Sequence, residues 1–154
     1  MIAFDALVGA NDRHAQNWGV VASAVKAAPV RFAPIFDTAR GLFWNHSDDL
    51  LARRDAEGRR DHHVEAYAKG SVPLIGFEKA EQRPNHFDLI EHMVSQQAAL
   101  RAPILDIVMG FRPEGIARLL HREFRRLLSR RRLEYIDALL RYRHSRLRRA
   151  CGLT

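Results

Sequence analysis

Near its start the chain runs Gly9-Ala10-Asn11-Asp12-Arg13-His14-Ala15-Gln16-Asn17-Trp18-Gly19, a mostly polar stretch between two apolar segments. Asp12 and Asn17 are five positions apart in it, and a second aspartate, Asp37, follows further along the chain. A carboxylate can orient a hydroxyl group and accept its proton, and Mg²⁺ prefers hard oxygen ligands such as carboxylates and amide carbonyls. These side chains therefore predict a magnesium-dependent site for phosphoryl transfer.

The segments after this stretch predict a small β-hairpin. Trp18–Ser23 and Val30–Phe36 are short apolar runs rich in Val, Ile and Phe, and a turn region separates them. Pro34 predicts that the second strand lies at an edge or ends early, because proline cannot donate a ladder hydrogen bond. Since Asn17 precedes the first strand and Asp37 follows the second, we expect the hairpin to bring these two side chains together.

The rest of the chain predicts helices, so the expected fold class is mainly α (α+β), a helical bundle with a small β-hairpin near the N-terminus. Apolar residues recur at spacings of three and four along most of it. The predicted helices are a short one in Met1–Gly9, one capped by Asn85, one from Pro103 to Gly110, one from Pro113 through Leu128, and one from Arg132 to Arg149. In the last, we expect five inward-facing residues: Leu133, Ile136, Leu139, Leu140 and Leu147.

Length and composition indicate one globular domain spanning residues 1–154. The chain is 47% hydrophobic and 28% charged, which is ordinary for a folded protein and argues against general disorder. The highly charged stretch Arg53–Asp61 suggests that residues 45–83 are a flexible insertion. His62 and His63 lie in it, and we interpret them as exposed loop histidines rather than as a metal site, because zinc sites usually need four ligands.

Cysteine content and hydropathy bear on location. The one cysteine, Cys151, cannot form an internal disulfide, which favours a reducing, cytoplasmic environment. The N-terminal residues do not resemble a signal peptide, and no run of 18 apolar residues occurs, so we expect no membrane partner.

Basic residues are concentrated towards the end of the chain. The formal net charge is +7, and Arg118–Arg149 contains twelve arginines against three acidic residues. These helices could bind nucleic acid through its phosphates, or their arginines could be the solvated face of packed helices. Composition leaves both interpretations open.

Two segments resemble a known family. Residues 9–19 resemble the catalytic loop of HipA-like serine/threonine kinases, and Arg31-Phe32-Ala33-Pro34-Ile35-Phe36-Asp37 resembles their metal-binding segment. The resemblance implies a kinase-like C-terminal lobe that uses ATP and Mg²⁺ to phosphorylate a protein substrate. It also implies a bacterial toxin–antitoxin setting, with an antitoxin protein as a partner. The core Asp12-Arg13-His14-x-x-Asn17 is similar to phosphoinositide 3/4-kinases too, so a lipid or small-molecule kinase is a further alternative.

The resemblance implies roles for individual residues. Asp12 would be the catalytic base, and Asn17 and Asp37 would hold Mg²⁺ and, through it, the nucleotide. His14 matches the family pattern as a catalytic-loop residue, either near the γ-phosphate or in a structural role. Arg13 could pair with a phosphate or with a neighbouring acid, and the sequence does not decide between them.

The chain departs from the family in one respect. The family's N-terminal lobe, with its nucleotide-anchoring lysine, precedes the catalytic loop, whereas here that loop begins at Gly9. We therefore expect weak or no activity from the isolated chain, and a partner that completes the cleft. The apolar surface left for this partner is predicted to include Phe4, Leu7, Phe36, Leu42, Phe43 and Trp44. The alternative is a non-catalytic remnant that binds a partner or nucleic acid.

Overall fold

A computed structural model describes residues 1–14, 16–25, 29–76 and 83–153. Within these ranges the chain forms seven helices and one antiparallel pair of strands, so the predicted mainly helical fold with a hairpin near the N-terminus is confirmed. The elements in chain order are α1 (Ile2–Val8), β1 (Val20–Val21), β2 (Arg31–Phe32), α2 (Asp48–Ala56), α3 (Arg60–Gly70), α4 (His86–Gln96), α5 (Ala98–Gly110), α6 (Pro113–Glu123) and α7 (Arg130–Ala150).

Helix α7 is the centre of the bundle and contacts each of the other six described helices. Its buried side chains include Leu133, Ile136, Leu139, Leu140 and Leu147, so all five predicted inward positions are confirmed. The helix begins two residues earlier than predicted because the Ser129 hydroxyl caps it, accepting the N–H of Arg132 at 3.2 Å.

The core consists of two clusters of buried side chains, and α7 contributes to both. The first joins α1, α4, α5 and α7 through residues such as Leu7, Phe87, Ile90 and Leu147. The second joins α2, α3 and α7; its buried members are Phe43, Leu51, Val64, Ala68, Tyr135 and Leu139. Burial of apolar area of this kind is the main favourable contribution to folding.

The region 45–83 was expected to contain a flexible insertion, but most of its described part is helical. Helices α2 and α3 pack on α7. The charges that suggested mobility form ion pairs, with Arg60 and Arg131 reaching Asp55 at 2.7 and 3.1 Å. These arginines and the Tyr135 hydroxyl lower the pKa of Asp55 to about 2. Residues 77–82 of this region lie outside the described residues.

Of three further predicted helix boundaries, one is confirmed and two differ from the structure. Asn85 caps α4 as predicted, accepting the N–H groups of Phe87 and Asp88. Pro103, however, lies inside α5 rather than opening it, and the helix starts at Ala98. It continues past the proline because Ile104 and Val108 are buried in the first core cluster. Helix α6 ends at Glu123, short of the predicted Leu128.

The hairpin is shorter than its apolar runs. Val20 pairs with Phe32 and Val21 with Arg31, and the Ala33 N–H donates to the Gly19 carbonyl at 2.9 Å. The second strand ends before Pro34, as predicted. All four strand residues are exposed, so the hairpin has no buried face to extend it. The predicted turn includes residues 26–28, which lie outside the described residues.

No described helix has both the length and the apolar character needed to cross a membrane.

Candidate functional site

Helix α1 directly precedes the predicted catalytic loop. It ends at Gly9, whose φ of 71° is left-handed, and the N–H groups of Gly9 and Ala10 both donate to the Asp5 carbonyl. A Cβ atom on Gly9 would lie 3.3 Å from the Arg143 guanidinium. Glycine therefore suits both the backbone conformation and the close approach of that side chain.

The Arg13 side chain connects helix α1 with the two segments that the sequence analysis expected to meet, those around Asn17 and Asp37. Its Nε and Nη2 donate to the two carboxylate oxygens of Asp5, each at 2.8 Å, and both side chains are only 1% exposed. Its Nη1 donates to the carbonyl of Asn17 and, at 3.2 Å, to the carbonyl of Phe36. The sequence left open whether Arg13 pairs with a phosphate or with a neighbouring acid. In this structure it pairs with an acid, Asp5.

Asn17 closes the loop with its side chain, which is buried. Its Oδ1 accepts the N–H of His14 at 2.9 Å, and its Nδ2 donates to the carbonyl of Asp12. These two bonds fix the turn between Asp12 and Asn17. An amide oxygen has two lone pairs, so Oδ1 retains one for a further partner.

The segment after the hairpin returns along the loop. The N–H of Asn11 donates to the Arg40 carbonyl at 3.2 Å, and the N–H of Leu42 donates to the Val8 carbonyl at 3.1 Å. The Arg40 side chain also pairs with the Asp12 carboxylate at 3.2 Å. The chain from residue 36 to 42 is therefore bound to residues 8–13 at both of its ends.

Asp37 lies between these attachments and is exposed to solvent. The hydrogen bonds that Arg13 donates to Asp5 raise the pKa of Arg13 against the opposing effect of burial, and the negative charge of Asp37 adds to the rise. The φ of Asp37 is 53°, a left-handed conformation that costs a non-glycine residue free energy. Such conformations are found disproportionately at functional sites.

The structure thus places Asp12, Asn17 and Asp37 in one region, around the buried Arg13. His14 is half-buried, and its Nδ1 accepts the N–H of Gln16 at 3.2 Å, a contact within the loop. Beside Asn17, an apolar pocket of about 290 Å³ lies between the start of α1 and the hairpin. Its lining residues are Met1, Asn17, Trp18, Gly19, Phe32, Ala33, Pro34 and Ile35.

The apolar surface expected around this site is only partly present. Phe4, Phe36 and Trp44 are exposed. Leu7 and Phe43 are instead buried, one in each core cluster, and so the expectation is corrected for them. Phe43 is withdrawn from the surface because it packs on the Tyr67 ring, with ring centroids 4.1 Å apart.

His86 contacts the backbone at the start of the loop, and it was not among the residues predicted from the sequence. It is fully buried, with Nε2 2.9 Å from the Ala10 carbonyl oxygen and Nδ1 2.8 Å from the Ser71 carbonyl oxygen. Burial, followed by the charge of Arg143, lowers its pKa to about 4. The ring is therefore neutral at pH 7, and we assign its one proton to Nε2, where it bonds Ala10, because Arg143 donates to Nδ1 at 3.0 Å; in this tautomer the Ser71 carbonyl oxygen receives no proton from the ring.

Arg143 is the second buried residue that the sequence analysis missed. Its guanidinium donates to the carbonyls of Ala6 and Ala68, joining the end of α1 to α3, and it lies 5.0 Å from the centre of the Phe87 ring. Burial lowers the pKa of Arg143 to about 10. A signal was present, since position 143 continues the inward-facing spacing from Leu139 to Leu147.

The described residues offer few side chains that could hold Mg²⁺. Nowhere in residues 1–14, 16–25, 29–76 and 83–153 do three or more His, Cys, Asp or Glu side chains form a metal site. Mg²⁺, however, is commonly held by one or two protein oxygens, with water and phosphate oxygens completing its shell. Of the two predicted ligands, the Asp37 carboxylate is exposed, whereas the Asn17 side chain is buried and its amide oxygen accepts the N–H of His14.

Comparisons of the chain with protein-family models, with curated proteins and with solved structures found no match.

Proposed function

We propose that this chain is the C-terminal, magnesium-binding lobe of a HipA-like serine/threonine kinase of the cytoplasm, acting on a protein substrate. The observation that supports this most is the pair of bonds from Arg13 Nη1 to the carbonyls of Asn17 and Phe36. Through them, one buried side chain holds the Asp-x-x-x-x-Asn loop beside the segment that ends in Asp37. A chance occurrence of the motif would not require such a connection.

In this proposal each site residue has a distinct task. Asp12 accepts the proton of the attacking Ser or Thr hydroxyl, and its carboxylate is partly exposed, at 22%, beside its partner Arg40. Asn17 and Asp37 hold Mg²⁺, which would neutralise charge on the phosphates of ATP. Arg13 positions both segments but contacts neither metal nor phosphate.

The hydrogen bonds around the loop support this proposal energetically. Phosphoryl transfer depends mainly on positioning and on electrostatic stabilisation, so a catalytic loop gains from being rigid before the substrate binds. The side chains of Arg13 and Asn17 fix the loop backbone at Asp12, His14 and Asn17. His14 is assigned a structural part in this loop.

The nucleotide would be enclosed only when a second lobe covers the site. The exposed rings of Trp18, Phe32 and Phe36 lie on the hairpin side of the site and would be covered by that lobe. We therefore expect the isolated chain to transfer phosphate from [γ-³²P]ATP to a generic hydroxyl acceptor weakly or not at all. Turnover within about tenfold of a complete kinase would contradict the expectation.

The alternative of nucleic-acid binding by Arg118–Arg149 has less support. Several of these arginines are paired with carboxylates, among them Arg130 with Glu134, Arg132 with Asp48 and Arg141 with Asp137. Arginines held in this way are less available for phosphates. DNA binding that weakens steeply with salt and is unchanged by substitution of Asp37 would favour this alternative.

The proposal is tested by calorimetry of Mg²⁺–ATP binding to wild type and to Asp37→Asn. Asparagine tolerates the left-handed backbone and keeps the size of the side chain, so the fold is retained while the metal-binding charge is lost. We expect the magnesium-dependent part of the binding to disappear. The matched control is Asp106→Asn, on the exposed face of α5, which should bind like wild type.

Substitution of Asn17 is a poorer test, because its side chain also holds the loop. Magnesium-dependent binding that survives in Asp37→Asn would refute the assigned metal site. No binding in the wild type would favour a remnant without a working site.

A further inference from the structure

A second pocket lies where α2 turns into α3, and none of its lining residues belongs to the candidate kinase site. It has a volume of about 760 Å³ and is lined by Arg54, Arg59, His62, His63 and Ala66. We call it the basic pocket. Its histidines were interpreted from sequence as exposed loop residues. They lie instead in helix α3; His62 is exposed as expected, whereas the His63 ring is stacked on Phe43 at 5.8 Å between centroids.

Four of the five described residues that line the basic pocket carry positive or titratable nitrogen, and none of the five carries a carboxylate. Glu57 is the acidic group nearest to its arginines, and its Oε2 lies 3.1 Å from Arg54 Nη1 and 3.5 Å from Arg59 Nη1. One carboxylate thus faces two guanidinium groups. Because each guanidinium has five N–H donors, most of the hydrogen-bonding capacity of both arginines is left over.

Two nitrogens on residues that line the pocket have no hydrogen-bond partner in the described structure. These are Arg54 Nε and His63 Nε2, and both are shielded from solvent. A buried polar atom without a partner costs free energy and calls for an explanation. Burial lowers the pKa of His63, and the positive charges of Arg54 and His62 lower it further. Positive charge at this site is therefore not balanced by nearby negative charge.

We infer that the basic pocket binds the phosphate group of a small phosphorylated molecule. Arginine pairs form bidentate, charge-assisted hydrogen bonds to phosphate oxygens, and a histidine N–H can add a further donor. The volume falls in the range of about 300–1,000 Å³ that is usual for small-molecule sites. A dianion would replace the weak, shared contact with Glu57 as the counter-charge of Arg54 and Arg59.

The inference is tested by following backbone and histidine-ring NMR signals of the protein during titration with inorganic phosphate at constant ionic strength. We expect shifts centred on residues 54–66. Arg59→Gln should weaken binding about tenfold or more, because a charge-assisted bond is lost. Arg59 is exposed, so this change should leave the fold intact. Arg126→Gln, on an exposed turn outside the pocket, is the matched control and should bind like wild type.

Glu57→Gln gives a test of opposite sign. Removing the carboxylate that competes for both arginines should strengthen phosphate binding several-fold, whereas a nonspecific effect of surface charge would be small and shared by other acidic positions. Titration with glucose 6-phosphate should give the same pattern of shifts, and glucose should give none.

The inference is overturned if Arg59→Gln binds phosphate as tightly as wild type, or if Arg126→Gln weakens binding equally. It is also overturned if Glu57→Gln fails to strengthen binding, or if glucose gives the same shifts as its phosphate. None of these outcomes depends on the kinase proposal, because Asp37→Asn should leave the phosphate titration unchanged.

Discussion

At the scale of single residues, buried charge organises this protein. Arg13 and Arg143 are both almost completely buried, but they are compensated differently. Arg13 faces the carboxylate of Asp5, whereas Arg143 is surrounded by backbone carbonyls and a histidine nitrogen. Buried charges are retained only where hydrogen bonds satisfy them, so neither site should tolerate an uncharged replacement of one partner alone.

Replacing Arg13 by Met should strongly destabilise the protein. The change leaves the Asp5 carboxylate buried without its partner, and removing one member of a buried ion pair costs about 3–5 kcal/mol. Urea unfolding followed by circular dichroism measures the effect. The control is Arg40→Gln, which breaks an exposed pair with Asp12 and should change stability by about 1 kcal/mol or less. Equal losses in the two variants would argue against a special role for Arg13.

Part of this arrangement could be predicted from the sequence, and the part that depends on long-range contacts could not. The spacing of Asp12, Asn17 and Asp37 suggested a site, because carboxylate and amide oxygens are the groups that a magnesium-dependent phosphoryl-transfer site would use. It could not show that Asp5, seven positions before Asp12, is the partner of Arg13, because that pairing depends on how α1 turns at Gly9. Nor could it identify His86, whose contact with Ala10 spans 76 positions.

At the scale of elements, the fit between α1 and the returning segment depends on Gly41. A Cβ atom there would lie 2.8 Å from the carbonyl oxygen of Val8, a backbone atom that cannot move aside easily. The same segment is bonded to the loop through Leu42 and Arg40. A side chain at position 41 would therefore push the segment that follows Asp37 away from the loop.

We expect Gly41→Ala to lower stability by about 1–3 kcal/mol, the usual cost of forcing extra atoms into a packed site. It should also weaken any magnesium-dependent binding, since the attachment of Asp37 to the loop is disturbed. Thermal unfolding and calorimetry measure the two effects. Gly110→Ala is the control, because nothing lies within 4 Å of a Cβ there and it ends helix α5. A Gly41→Ala variant as stable as this control would contradict the close approach.

The helices α2 and α3 show why a highly charged segment can be mistaken for a flexible one. Only Leu51, Val64 and Ala68 are buried in them, too few to produce a clear apolar stripe. Their stability comes instead from packing on α7 and from carboxylates that meet arginines of α7, such as Asp48 with Arg132 at 2.8 Å. This pair spans 84 positions and that of Asp55 with Arg131 spans 76, so local sequence does not indicate them. The long helix α7, by contrast, was predictable because its apolar residues recur over many turns.

At the scale of the whole molecule, buried histidines make stability depend on pH. His86 has a pKa of about 4 in the folded protein against 6.5 for an ordinary histidine, and the pKa values of His46 and His63 are also lowered, chiefly by burial. The unfolded chain therefore binds protons more readily than the folded one below pH 6.5. Stability is fully present above pH 6.5 and is lost as the pH falls towards 4.

Urea unfolding measured from pH 7 to pH 4.5 should show a loss of about 2–3 kcal/mol from His86 alone, with His46 and His63 adding to it. The carboxylate of Asp55 does not contribute in this window, because its lowered pKa of about 2 acts only below the ordinary value of 3.8. His86→Gln should flatten the pH dependence, while His121→Gln, on the exposed surface of α6, should keep it. An unchanged slope in His86→Gln would contradict the assignment.

The central position of α7 has a consequence for how the chain folds as it is made. Both core clusters need residues from this helix, yet it begins at Arg130, after α1 to α6 have been synthesised. Helix α1 packs against it across most of the chain length. Contacts between such distant residues slow folding. The earlier helices must therefore leave the ribosome without their packing partner, and the stable core can close only once the last two helical turns of α7 have emerged.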